Sequence, residues 1–218
     1  TTASGNKSTA MGSSTTASGT SSTAMGSSTT ASGDFSMSVG NASISSGESS
    51  ISSGAASAAK GNFSVALGDG NIAEKDAGVA LGSKTQSLDA FDVAIGEGAI
   101  AQGSNSVSIG KDTNATGLKS MALVDASVAS GESSLAAGKA ATSSGDGSIA
   151  LGASAATSGL RSVAIGDEAE SQGEGSAALG YKALAVGKYA TAIGPESNAN
   201  GEGSISMGSG SSTNGKYS

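Results

Sequence analysis

The stretch Ser162-Val163-Ala164-Ile165-Gly166-Asp167-Glu168-Ala169-Glu170-Ser171-Gln172-Gly173 holds two five-residue patterns of different kind. Ser162 to Gly166 alternates small and large apolar residues and stops at glycine; Ala169 to Gly173 alternates small and polar residues and stops at glycine again. Period-two alternation over four residues, closed by Gly, predicts a short strand followed by a turn that needs φ > 0. Outward from this point, glycine recurs every seven residues in both directions. Of the 31 positions in that register from residue 5 to residue 215, 28 are Gly, and Lys75, Asp89 and Val124 are the departures. The apolar pattern fills every second interval, as in Ser64-Val65-Ala66-Leu67-Gly68 and Asp92-Val93-Ala94-Ile95-Gly96, so the period is fourteen. Each fourteen-residue rung is therefore expected to be one coil of two strands and two turns. No insertion or deletion breaks the phase, which predicts one continuous domain over residues 1–218 without a linker.

Competing periodic structures fail on arithmetic. A heptad coiled coil would put about thirty glycines into helix interiors at roughly 1 kcal/mol each, and collagen demands glycine at every third residue. Residues 1–34 have the composition of a flexible segment, with Ser8 to Gly19 recurring verbatim as Ser22 to Gly33. They keep the phase of the rest, so order is expected there too.

Alternation also assigns the faces. In both half-rungs the residues four and two before glycine are small, so those faces look at each other across a narrow interior filled by Ala and Ser. The residues three and one before glycine in the apolar half must then point outward. They form two rows, one with Val65, Val79, Val93, Val107, Ile149 and Val163, the other with Leu67, Leu81, Ile95, Ile109, Leu151, Ile165, Leu179 and Ile193. Rungs rising about 4.8 Å each make this a stripe roughly 70 Å long and 10 Å wide, more than a soluble monomer leaves in water. The expected cover is a second copy of the same stripe, in a closed symmetric oligomer with these fourteen residues at its interface. On the other strand Glu74, Gln86, Gln102, Asn114, Glu170 and Asn200 mark a solvated face.

Composition removes most catalytic readings. The 218 residues include no His, Cys or Trp, so imidazole-based triads, thiolate nucleophiles and zinc-finger spacings are impossible. No cofactor, metal or catalytic residue is expected. The turns Gly68-Asp69-Gly70-Asn71 and Gly145-Asp146-Gly147-Ser148 lack the clustered carboxylates of a calcium loop and read as solvated turns. Eighteen acidic against eleven basic residues give a net charge of −7, which argues against nucleic acid and against a polybasic membrane contact. No apolar run approaches a membrane span. Phe35, Phe63, Phe91, Tyr189 and Tyr217 share one corner, two residues beyond a register position of the polar half, and successive members of each group lie 28 residues apart. Two roles fit them: a wedge closing the seam between chains, which is the simpler, or a ladder of rings for ligand stacking. Lys75 and Asp89 occupy the same turn in consecutive rungs; a surface recognition spot is one reading of them, and a local ion pair is the simpler one and the one expected.

The run Ser162-Val163-Ala164-Ile165-Gly166 followed by Ala169, Ser171 and Gly173, repeated from Phe63 to Gly208, resembles the head repeat of YadA-like trimeric autotransporter adhesins. The resemblance implies an all-β fold, a left-handed parallel β-roll of fourteen-residue coils, as a homotrimer. It also implies display on the outer membrane of Gram-negative bacteria and attachment to extracellular matrix proteins, host cells or abiotic surfaces. Residues 1–34 depart from the pattern, with Thr9, Thr23, Met11 and Met25 in place of Val or Ile, and looser trimer packing is expected there. No stalk, neck or membrane anchor falls within the chain. Lys216-Tyr217-Ser218 restates the start of the Lys188-Tyr189-Ala190 rung, so a longer parent chain is expected. A phage tail fibre could carry the same repeat. An ice-binding solenoid would need a long threonine lattice, and the row Thr2, Thr16, Thr30 gives way to Ile44, Ala58, Ile72 and Gln86.

Overall fold

A computed structural model describes residues 1–218, which divide into two compact units, Thr1–Asp112 and Thr113–Ser218. In the first unit every rung contributes one strand to each of two parallel sheets. The apolar half supplies strands such as Val65–Asp69, and the polar half supplies two-residue strands such as Ile72–Ala73. Pairing is parallel at a constant offset of fourteen: Val65 faces Val79, Leu67 faces Leu81, and Ile72 faces Gln86. The sequence period and the ladder register are thus the same number. Slipping by one residue would exchange Val and Ala between outside and inside, so the pattern itself pins the register.

The second unit is built likewise, with apolar-half strands trimmed to three residues, as in Val163–Ile165, beside two-residue strands such as Glu170–Ser171. The turn after the apolar-half glycine is closed in two ways. In the first unit the residue three places beyond that glycine is polar in most rungs, and in some its side chain serves the glycine carbonyl one rung on: Ser57 Oγ reaches Gly68 O at 2.7 Å and Asn71 Nδ2 reaches Gly82 O at 2.8 Å. In the second unit it is often Ala, and its backbone N–H closes the turn on the glycine of its own rung. Ala141 donates to Gly138 at 3.0 Å and Ala155 to Gly152 at 3.2 Å. A buried carbonyl must find a donor in either case.

The interior is as small as the sequence demands. The buried apolar residues are all alanines, and most of the rest are serines and threonines. Hydroxyls meet across the gap between the sheets, with Ser38 Oγ 2.9 Å from Ser43 Oγ and Ser171 Oγ 2.6 Å from Ser176 Oγ. At the polar turns serine also folds back on glycine, as Ser64 Oγ donates to Gly61 O at 2.6 Å.

Three local expectations need correction. The polar-half strand is two residues long, because the residues before glycine already belong to the turn. The apolar-half glycines do carry positive φ, Gly68 at 129° for example, whereas the polar-half ones do not. Gly159 is required there for a different reason: a Cβ would lie inside van der Waals contact of the Gly173 carbonyl in the next rung. The left-handed conformation sits instead two residues beyond each register position, where φ lies between 50° (Ala56) and 67° (Gly98). Six of the seven off-register glycines occupy this site, and Ser, Lys, Ala, Phe or Tyr fill most of the others. Finally, no ion pair joins Lys75 to Asp89. The ion pairs nearby link Lys60 to Glu74 and Lys111 to Glu97, while the Asp89 N–H donates to Asp92 Oδ2 at 2.9 Å.

Candidate functional site

The outward stripe exists in each unit as the sequence lays it out. In the first, Val65, Val79, Val93 and Val107 stack in one row and Leu67, Leu81, Ile95 and Ile109 in the next, all in register. In the second, Ile149 stacks on Val163, and Leu151, Ile165, Leu179 and Ile193 follow one another. None of the fourteen enters the interior. They cover one another along the row and stay part-exposed, Leu67 at 38%, Ile109 at 39% and Ile165 at 42%. The apolar face is therefore continuous within each unit and open on its outer side. Met11 and Met25 extend it among the first rungs, where Met11 is 56% exposed.

The aromatic corner adjoins the stripe, since Phe63 lies two residues before Val65. Phe35, Phe63 and Phe91 hold φ of 58°, 57° and 62°, a region that costs a non-glycine residue roughly 1–2 kcal/mol. Their exposures are 60%, 63% and 61%. In the second unit the same corner carries Tyr189 and Tyr217. Each tyrosine ring lies over a glycine in the rung before it. A Cβ on Gly175 would come within 2.8 Å of Tyr189 Cδ1, so a larger residue there would have to displace the ring.

Around the tyrosines a charge pattern repeats that sequence reading passed over. Lys188 Nζ is 2.8 Å from Glu174 Oε2 and 5.0 Å from the Tyr189 ring centroid; Lys216 Nζ is 2.7 Å from Glu202 Oε2. The Tyr217 hydroxyl donates to Glu202 Oε1 at 3.0 Å. Lys188 holds Glu174 below the usual carboxylate range, and Glu174 in turn raises Lys188. Lys216 and then Tyr217 depress Glu202, while the bond to Glu202 raises the Tyr217 phenol. The signal was present in sequence as Gly-Glu-Gly followed fourteen residues later by Gly-Lys-Tyr, at 173–175 with 187–189 and again at 201–203 with 215–217.

One carboxylate is buried. Asp92 stands where most rungs have serine, and its side chain is out of contact with water. Burial pushes its pKa up, and hydrogen bonds from Ser106 and the Asp89 N–H pull against that. Elsewhere a shallow open groove of about 320 Å³ runs along Glu132, Ser133, Asp146, Gly147, Leu160 and Arg161. Asp146 Oδ1 there accepts the Glu132 N–H at 2.9 Å, which ties one carboxylate oxygen of the Gly145-Asp146-Gly147-Ser148 turn to the backbone. No three His, Cys, Asp or Glu side chains converge as a metal site would require.

The model of a family described as YadA head domain repeat (2 copies) matches residues 3–29, 17–43, 45–71, 59–85, 91–113, 101–123, 129–155, 158–183 and 185–211. No curated protein matches the chain significantly.

Proposed function

The chain belongs to the family of YadA head repeats, and from that premise we propose that it is a segment of a surface-displayed adhesin head with a structural rather than a catalytic task. Three copies wind as left-handed rolls about one axis, with the outward stripe turned inward on that axis. The whole chain, residues 1–218, serves as one head segment, because the glycine register passes residues 103, 110 and 117 without a break. The head is carried on the outer membrane and attaches to matrix proteins, host cells or other surfaces through many identical weak contacts.

The observation that carries this reading is the row of part-exposed Val, Leu and Ile, which a lone chain would leave in water. Each such side chain contributes on the order of 1.5–3 kcal/mol when fully buried, which the alanine interior cannot match. The test is the mass of the protein in dilute solution. The native chain should run as three copies, and a variant with Ile95→Asp and Ile165→Asp as one copy or as aggregate. A native chain that stays monomeric at micromolar concentration defeats the assembly.

A further inference from the structure

Nothing in the backbone asks for a ring at the left-handed corner, where glycine relaxes the turn and serine is tolerated at Ser21 and Ser49. Yet the first unit places Phe there three times, at residues 35, 63 and 91, and keeps the intervening positions small with Ser49 and Ala77. We infer that Phe35, Phe63 and Phe91 form a stacking platform for a neutral glycan chain of equatorially linked hexoses. This deepens the adhesive reading and rests on it only for display at a surface, since binding is a property of the purified chain.

Spacing is the first argument. The Phe35 and Phe63 N–H groups donate at 2.8 Å to Thr20 O and Glu48 O of the rung before, and Phe91 donates at 3.0 Å to Asp76 O, so the backbone ladder fixes each ring's height. Two rungs separate successive rings by about 9.6 Å, close to the disaccharide repeat of an extended equatorially linked hexose chain. The small residues between leave slots for the alternate sugars.

The second argument is the column beside the rings. Asp34, Glu48, Asn62 and Asp76 are exposed there. Asp34 Oδ1 accepts the Thr20 N–H at 2.7 Å, Asn62 Oδ1 the Glu48 N–H at 2.9 Å, and Asp76 Oδ1 the Asn62 N–H at 2.9 Å. Both aspartates are thereby oriented with a second oxygen left over, and a carboxylate only accepts. A pyranose supplies what this surface lacks, C–H faces for the rings and hydroxyl donors for the carboxylates. An extended proline-rich peptide has a similar repeat, about 9.3 Å per turn, but it presents carbonyls and, at proline, no N–H. Acceptors would then face acceptors. Sulfated or carboxylated glycans meet three negative charges.

The test is retention of the intact chain on microcrystalline cellulose and on chitin, with immobilised heparin and a Pro-Pro-Gly repeat peptide in parallel and the mass in solution measured for every variant. Retention on a neutral glycan is expected. It should fall about tenfold or more in Phe35→Ser/Phe63→Ser/Phe91→Ser and survive in Phe63→Tyr, which keeps a ring. Should the triple variant not fold, Phe63→Ser alone should lose severalfold. The inference is overturned if neither neutral glycan retains the native chain, if the serine variants bind as well, or if the peptide or heparin is preferred. It is equally overturned if the serine variants change the mass in solution, which would make the rings a seam between chains; a monomeric native chain that still binds glycan would sink only the assembly.

Discussion

Ser106 donates twice to one oxygen of Asp92 in the rung before it, through its backbone N–H at 2.9 Å and its hydroxyl at 3.0 Å. The carboxylate thus ties two rungs together from inside, at the turn where Asp89 replaces glycine. Its cost is desolvation, which raises its pKa in the folded chain. The sign follows directly. A carboxyl that binds its proton more tightly when folded stabilises the fold most below the unfolded pKa and loses that contribution as pH rises through the folded value. Asp92→Ser, which installs the residue usual at this position, should therefore gain in Tm relative to the native chain as pH climbs from strongly acidic toward neutral. Melting curves of both proteins across that range check it, and a difference independent of pH would refute the assignment.

Glycines of the two turn sites should differ sharply in tolerance. Gly159→Ala pushes a Cβ against the Gly173 carbonyl, with backbone on both sides of the contact. A loss of several kcal/mol is expected, because the two rungs must separate. Gly147→Ala meets only Arg161 Cγ at 3.6 Å and pays for its φ of 65° alone, roughly 1–2 kcal/mol. Urea unfolding of the two variants ranks them.

Exchanging adjacent residues of one strand tests which face is inside. Ala164 is fully buried and Ile165 is 42% exposed. Ala164→Ile should cost about 1–3 kcal/mol or more through overpacking. Ile165→Leu should change the stability of a single chain by less than about 1.5 kcal/mol. Equal effects would mean the interior is wider than its alanines imply.

The Tyr217 phenol is held above its usual range by its bond to Glu202. In Glu202→Gln one of the three tyrosines should ionise at lower pH than in the native chain, seen as an earlier rise in phenolate absorbance. An unchanged titration would show that the bond is absent in solution.

The strand pattern, the register and the alanine interior were all legible in sequence because each is written in side-chain size. Val65 and Ala66 alternate, Val79 and Ala80 repeat them fourteen residues on, and pairing follows. The left-handed corner was not legible, since its demand falls on the backbone while Lys7, Phe35, Ala56 and Arg161 all satisfy it. Only the off-register glycines hinted at it. The Lys75–Asp89 ion pair failed for a related reason: neighbouring turns stack their backbones, but Asp89 turns its N–H toward Asp92, and the nearby ion pair is made by Lys60 with Glu74. Asp92 itself looked like a serine variant of the repeat. That it is buried depends on the next rung closing over it.

A ladder whose offset equals its sequence period makes molecular length a countable, heritable quantity. Recombination between the identical copies Ser8 to Gly19 and Ser22 to Gly33 adds or deletes a whole coil, moving the tip by about 4.8 Å while every surviving neighbour keeps its mate. A frame-preserving change by an odd number of residues would exchange the inner and outer faces beyond the joint. Lineages carrying such a gene can lengthen or shorten it freely, but only in steps of forty-two nucleotides, three for each of the fourteen residues that separate Thr9 from Thr23.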